Sequence, residues 1–165
     1  MIFETERLLI RRLQEEDLSG FYDLESNPEV LKYADGCVKN LKETKEELFG
    51  FIRKYDEKNN YFWIYAVERK QDGAFIGTVA LINSKFDTEI GYRFIQNYWA
   101  NGYGLELCKA LINYARKIGL QRLIAFVIDK NIASKKILEQ LFFKVENCFL
   151  NEELQLQETK YVLEL

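Results

Sequence analysis

The chain has 165 residues, 48% of them apolar and 15% aromatic, with a formal charge of −3, three cysteines and no histidine. That composition excludes disorder, fits one domain with a sizeable core, and lacks the basic excess that nucleic acid as main ligand requires. Without histidine, Ser-His and Cys-His nucleophile pairs and histidine-ligated zinc are impossible.

Residues 7–13 read as a first strand. Residues 17–25 follow with Leu18, Phe21, Tyr22 and Leu24 at helical spacing. Asn27-Pro28 breaks that pattern and starts a short helix to Leu31, since proline suits a first helical turn. Residues 41–55 predict an amphipathic helix, with Leu41, Leu48, Phe51, Ile52 and Tyr55 on one side and lysines and glutamates on the other. The period then changes. Residues 62–68 and 74–82 are β-branched and aromatic, joined as a hairpin by Gln71-Asp72-Gly73, and residues 88–95 form a third strand beside them. Residues 105–118 predict a helix with Leu105, Cys108, Leu111, Ile112, Ala115 and Ile118 in one stripe, closed by Gly119 as a C-terminal cap. Arg122–Ile128 is a nearly continuous apolar run, the mark of a strand buried on both faces. A helix over 132–141 and two strands, 143–149 and 157–165, complete the chain. Cys37, Cys108 and Cys148 lack Cys-x-x-Cys spacing. With no apolar leader and no run near the ~20 residues of a membrane span, they read as reduced thiols of a cytoplasmic protein.

The chemistry concentrates at Tyr98-Trp99-Ala100-Asn101-Gly102-Tyr103-Gly104, between the third strand of the hairpin group and the next helix. Two glycines spaced by one residue let the backbone turn tightly and aim several N–H groups at one spot. The first helical N–H groups have no partner inside the helix, and the helix dipole adds positive character, so the place suits phosphate. A glycine pair at a helix start also serves plain close packing. A dinucleotide fold is disfavoured, because Leu107 stands where a third glycine belongs and the preceding strands are hairpin-like.

After the buried strand comes Asn131-Ile132-Ala133-Ser134-Lys135-Lys136-Ile137-Leu138, opening a second helix. Two consecutive strand-to-helix units, one glycine-rich and one starting Asn-x-Ala-Ser, resemble the acetyl-CoA site of the GNAT superfamily of N-acetyltransferases. Glu6-Arg7-Leu8, Asn27-Pro28-Glu29-Val30, Glu89-Ile90-Gly91-Tyr92 and Tyr98-Trp99 extend the resemblance to the branch that includes the ribosomal-protein N-terminal (alanine/serine) acetyltransferases. The resemblance implies one α+β domain over residues 1–165 with the GNAT acyl-CoA fold. Its sheet is mixed, mostly antiparallel and seven-stranded, with a splayed parallel pair and helices on both faces. It implies acetyl-CoA as co-substrate, no metal, and an amine acceptor that is a peptide N-terminus or a small amine such as a polyamine or aminoglycoside. No nucleic-acid or membrane partner is expected, and the assembly is a monomer or homodimer. The pyrophosphate would lie on backbone N–H groups of Asn101, Gly102, Tyr103, Gly104 and Leu105. Pantetheine would enter the gap between residues 88–95 and Arg122–Ile128, meeting Asn131, with an oxyanion donor near Phe94 or Ile95. Lys136 is the candidate partner of the 3′-phosphate. Three positions depart from the pattern: Gln96 replaces a frequent proline, Phe142 a frequent glycine, and Leu138 the tyrosine that usually protonates the leaving thiolate.

The implied reaction is direct attack of a neutral amine on a thioester in a ternary complex. Glu89 is the candidate base, acting through water; a solvated carboxylate on a half-exposed strand is the alternative. Ser134 is the candidate donor to the thiolate, or else a first-turn serine without chemistry. Asn131 is a helix N-cap by position. An α-amine with pKa near 8 is roughly a tenth neutral at pH 7, whereas a lysine amine near 10.4 is about 0.04% neutral, so an N-terminal acceptor suits this sparse site. Trp63, Tyr65, Tyr92 and Trp99 read as core or pocket wall. Two other classes stay open: a non-catalytic acyl-CoA-binding module, and a nucleotide-binding regulator using the same loop.

Overall fold

The computed structural model describes residues 1–34 and 36–165. In chain order the elements are β1 (Phe3–Glu4), β2 (Leu8–Arg12), α1 (Leu18–Glu25), α2 (Pro28–Leu31), α3 (Leu41–Lys54), β3 (Phe62–Arg69), β4 (Ala74–Asn83), β5 (Thr88–Phe94), α4 (Tyr103–Lys117), β6 (Arg122–Ile128), α5 (Ile132–Gln140), β7 (Lys144–Asn151) and β8 (Leu156–Glu164). They build one sheet in the order β1-β2-β3-β4-β5-β6-β8-β7. The seven expected strands are present, and two-residue β1 adds an eighth at the edge beside β2.

Every neighbouring pair is antiparallel except β5 and β6, whose parallel ladder is confined to Thr88↔Leu123 and Glu89↔Ile124. Beyond Glu89 the two strands part and leave a V-shaped gap. The closed end of the V is cross-linked. Arg122 at the start of β6 pairs with Asp87 just before β5, at 2.8 Å, and with Glu146 of β7, while Lys160 of β8 reaches Glu146 at 2.6 Å.

Strand alternation assigns the two faces of the sheet. Glu89, Gly91 and Arg93 share one face of β5; Arg93 reaches buried Glu25 of α1 at 2.7 Å, which identifies this as the α1 side. Tyr92 and Phe94 share the other, against Ser134 of α5 and the ring of Tyr103 in α4. Between Val67 and Glu68 the β3–β4 register shifts by one residue, so Ile76 bulges and Phe75 turns to Phe21 of α1.

The helices are set by their ends. Asn40 and Glu43 cap α3 reciprocally, each side chain accepting the other's backbone N–H. Tyr55, beyond the last turn of α3, accepts the N–H of Leu13 and donates to the carbonyl of Ile64, which locks α3 to β3 and to the residue that follows β2. Helix α4 ends on Gly119 at φ 81°, with N–H bonds from Gly119 to Arg116 and from Leu120 to Ala115. Helix α5 ends the same way, with Phe142 to Glu139 and Phe143 to Leu138, but its left-handed residue is Phe142 at φ 64° with a ring that is 81% exposed. A side chain in that conformation costs about 1–2 kcal/mol relative to glycine, and this ring recovers little by burial. Phe142→Gly is therefore expected to stabilise the protein by about 1 kcal/mol, raising the melting temperature by about 2–4 °C in calorimetry.

Candidate active site

Helix α4 starts at Gly102, whose φ of 79° belongs to the left-handed region, and no side chain caps it. Its first intrahelical bond runs from Glu106 N–H to Gly102 C=O. The N–H groups of Tyr103, Gly104 and Leu105 are thus left pointing out of the helix start, and their positive end faces a cleft of about 560 Å³. Gly104 cannot be replaced cheaply: a Cβ there would stand 2.9 Å from Ile137 Cδ1 and 3.2 Å from Tyr92 Oη. Ala100, at φ 59°, carries backbone strain into the same turn. The side chain of Asn101 is spent inward, donating to the carbonyls of Tyr98 and Trp99, so only its backbone is offered to the cleft.

Arg7 braces this loop from behind. Its guanidinium donates to Asn101 O at 3.0 Å, pairs with Glu106 at 2.6 Å and lies 4.5 Å from the ring centre of Tyr103. Burial pushes the Glu106 carboxyl up, but hydrogen bonds from Thr5 and Arg7 outweigh it and hold the group below its usual range. The acidic residue in the first turn of α4 therefore does not compete with an incoming anion. Arg7 belongs to a stretch the sequence marks out, yet its role shows only once ninety residues are folded back against it.

The gap between β5 and β6 continues this cleft. On β5 the N–H of Ile95 donates to Ile76 O across to β4, so the even-numbered backbone groups face the gap. Trp99 Nε1 donates to Phe94 O at 2.7 Å and closes that carbonyl, leaving the N–H of Phe94 and, deeper, that of Tyr92 turned into the V. The oxyanion donor expected near Phe94 or Ile95 is accordingly corrected for Ile95, which is engaged with β4 and lines neither cavity. The innermost gap-facing N–H beyond the ladder is that of Tyr92.

A second cavity, about 310 Å³, passes through the V to the α1 side. It shares Tyr92, Arg93, Asn131 and Ser134 with the first and is lined by Glu89, Gly91, Phe126 and Glu158. Burial, and then the charge of Glu158, push the Glu89 carboxyl above its usual range. Asn131 accepts the N–H of Ser134 at 3.2 Å as the N-cap of α5, and its amide nitrogen has no partner among the described residues. Ser134 Oγ lies 3.4 Å from Tyr92 Oη, whose pKa burial raises first of all. Leu138 is buried in the wall of the second cavity. Cys108 is buried too, and burial pushes its thiol up to about 12, which disqualifies it as a nucleophile. Lys136 does not line the cleft. Ser134 and Ile137 turn inward one helical turn apart, so Lys136 projects to the exposed side of α5, and the lysines that line the cleft are Lys32 and Lys130. Among the described residues no group of three or more His, Cys, Asp or Glu side chains is placed to hold a metal.

The stretch that holds the glycine-cradled helix start and the splayed parallel pair lies within residues 7–144, which match the family model for the acetyltransferase (GNAT) domain. The chain belongs to the GNAT acetyltransferase family. As a GNAT enzyme it uses acetyl-CoA, and the open helix start, with glycine where a Cβ would fill the cradle, fits the donor's diphosphate. A curated relative, the uncharacterized N-acetyltransferase YoaA of Bacillus subtilis (strain 168), is 30% identical over 150 residues, 88% of this chain and 84% of YoaA. Among solved structures, the GNAT fold here is similar to that of RimL, a ribosomal L7/L12 α-N-protein acetyltransferase in complex with coenzyme A, at TM-score 0.85, 18% identity and 99% and 97% coverage of the two chains. It is also similar to spermidine N-acetyltransferase from Vibrio cholerae, with CoA and spermine, at TM-score 0.81, 19% identity and 96% and 95% coverage. No helix among the described residues is long and apolar enough to cross a membrane.

Proposed function

We propose that this GNAT enzyme acetylates a primary amine by direct attack in a ternary complex, with an α-amine of the peptide N-terminal kind favoured over a lysine-like amine. The observation that carries the reading is the passage through the V. A donor cleft under the glycine loop and a second cavity holding Glu89 meet at Tyr92 and Ser134, so two reactants can be held on opposite sides of one point. When bound, acetyl-CoA supplies an activated thioester carbonyl.

The chain's own groups do the rest. The N–H groups of Tyr103, Gly104 and Leu105 hold the diphosphate, and the gap-facing backbone of Phe94, with the free amide of Asn131, orients the arm. The N–H of Tyr92 donates where negative charge develops. Glu89, its pKa raised by burial, takes the proton that the amine loses, and Ser134, with Tyr92 Oη behind it, offers a proton to the sulfur. One base of modest strength suits an amine that is already partly neutral at pH 7. The fold shared with an α-N-protein acetyltransferase supports that preference, while the fold shared with a spermidine acetyltransferase keeps small amines in view. The three cysteines, without Cys-x-x-Cys spacing, support action in the reducing cytoplasm.

Acetyl-CoA mixed with the protein and a panel of peptides, polyamines and aminoglycosides tests this. Free thiol should appear with amine acceptors, fastest with peptide N-termini, and mass spectrometry should find the product heavier by one acetyl group. Tight binding of acetyl-CoA with no thiol released by any amine would overturn it.

A further inference from the structure

The α1-side face of β5 reads Glu89, Gly91, Arg93, and Gly91 is its open middle: a Cβ built there meets nothing within 4 Å. Neighbours on one strand face stand about 6.6 Å apart, so Glu89 and Arg93 flank a bare patch of backbone about 13 Å across. This patch lies beside Tyr92, where the two cavities meet. An acceptor seated on this patch would lie between a carboxylate and a guanidinium.

Arg93 is held for a purpose beyond packing. Glu25, which anchors it at 2.7 Å, is fully buried and is itself gripped by Lys39 at 2.9 Å, and Lys39 also meets Glu47 at 2.8 Å. The network supplies Glu25 with a second cation, so Arg93 is not needed as its sole counter-charge. Only one arm of the Arg93 guanidinium is used: Nη2 meets Glu25, and its other donors have no protein partner among the described residues. The side chain is 27% exposed and lines both cavities. A guanidinium fixed along one side and open along the other is preorganised for a carboxylate. A second ammonium group of a polyamine would instead be repelled at this end.

We propose that Arg93 makes this enzyme selective for amines that carry a carboxylate a few bonds from the reacting nitrogen, the amine lying over Gly91 towards Glu89 and the carboxylate on the free donors of Arg93. The chemistry is that of a free amino acid, or of a peptide whose first residues bear a carboxylate. The inference rests on the acetyltransfer reading above and narrows its acceptor.

The test compares matched acceptors in the presence of acetyl-CoA: arginine with agmatine, glutamate with glutamate diamide, and short peptides beginning with or without an acidic residue. Amines that keep the carboxylate near the nitrogen should have kcat/KM about 10- to 100-fold above their partners, chiefly through KM. Arg93→Gln should shrink that ratio to within about threefold, and Arg93→Lys should restore part of it. Non-reactive short carboxylates such as propionate should compete with the amine in the natural protein and not in Arg93→Gln. The free amino acids and the acidic peptides report separately which source the site takes. If Arg93 merely anchors Glu25, Arg93→Gln lowers all acceptors alike and leaves the ratio unmoved, which sinks the inference. Equal turnover of amines with and without a carboxylate, or a preference for diamines, also sinks it while leaving acetyltransfer intact. Silence from every amine would bring down the transferase reading itself.

Discussion

Gly104→Val should weaken acetyl-CoA binding by about 100-fold or more while the protein stays folded. Even the first added carbon would sit 2.9 Å from Ile137 Cδ1 and 3.2 Å from Tyr92 Oη, and valine adds two more. The start of α4 must then move off α5 and β5, which turns the N–H groups of Gly104 and Leu105 away from the cleft. Each charge-assisted bond so lost is worth about 1.5–3 kcal/mol, and two of them account for the loss in affinity. Titration calorimetry with acetyl-CoA gives the number, and far-UV circular dichroism with a melting curve shows that the fold persists. Wild-type affinity in Gly104→Val would remove the helix start as the diphosphate site.

The second large effect concerns Glu89. A base must be unprotonated to act, so activity corrected for the neutral fraction of the amine should fall as pH drops through the pKa of Glu89. Burial and Glu158 raise that pKa above the ordinary value of about 4.3, so the acid limb should lie at higher pH than for a solvated carboxylate. Glu89→Gln should remove the limb and cut kcat by about 100-fold or more for a lysine-like amine, and by less for an α-amine. Glu158→Gln, which takes away the neighbouring negative charge, should slide the limb to lower pH without abolishing activity. A pH profile unchanged by Glu89→Gln would return Glu89 to the role of a half-buried strand residue.

How much of this was legible in the sequence depends on the range over which each signal acts. Strand β6 has the bounds its apolar run predicts, because burial on both faces writes itself into consecutive residues. Helices α3 and α5 begin at their caps, Asn40 and Asn131, for a similarly local reason. Strand β1 was illegible: two residues have no period, and Phe3-Glu4 becomes a strand only because β2 offers an edge. The glycine loop was legible as a backbone feature, but the donors deeper in the V were not. Whether Tyr92, Phe94 or Ile95 faces the gap depends on the bulge at Ile76 and on which partner each strand side finds. Trp99 reads as a wall from its size, whereas its indole N–H closes the carbonyl of Phe94. Lys136 carries the right charge, but the helical phase fixed by Ser134 and Ile137 faces it outward. Arg93 was hidden most completely, since its partner Glu25 lies in a helix sixty-eight residues away and nothing local in either stretch signals the other.

The ladder between β5 and β6 is only two residue pairs long, yet Arg122 and Lys160 bolt it to Asp87 and Glu146. Those ties make the bottom of the V an end-wall rather than a seam. Whatever slides in from the helix start is measured against main chain, which no side-chain replacement can trim, so the depth available to the thioester's acyl tail is a property of the fold itself.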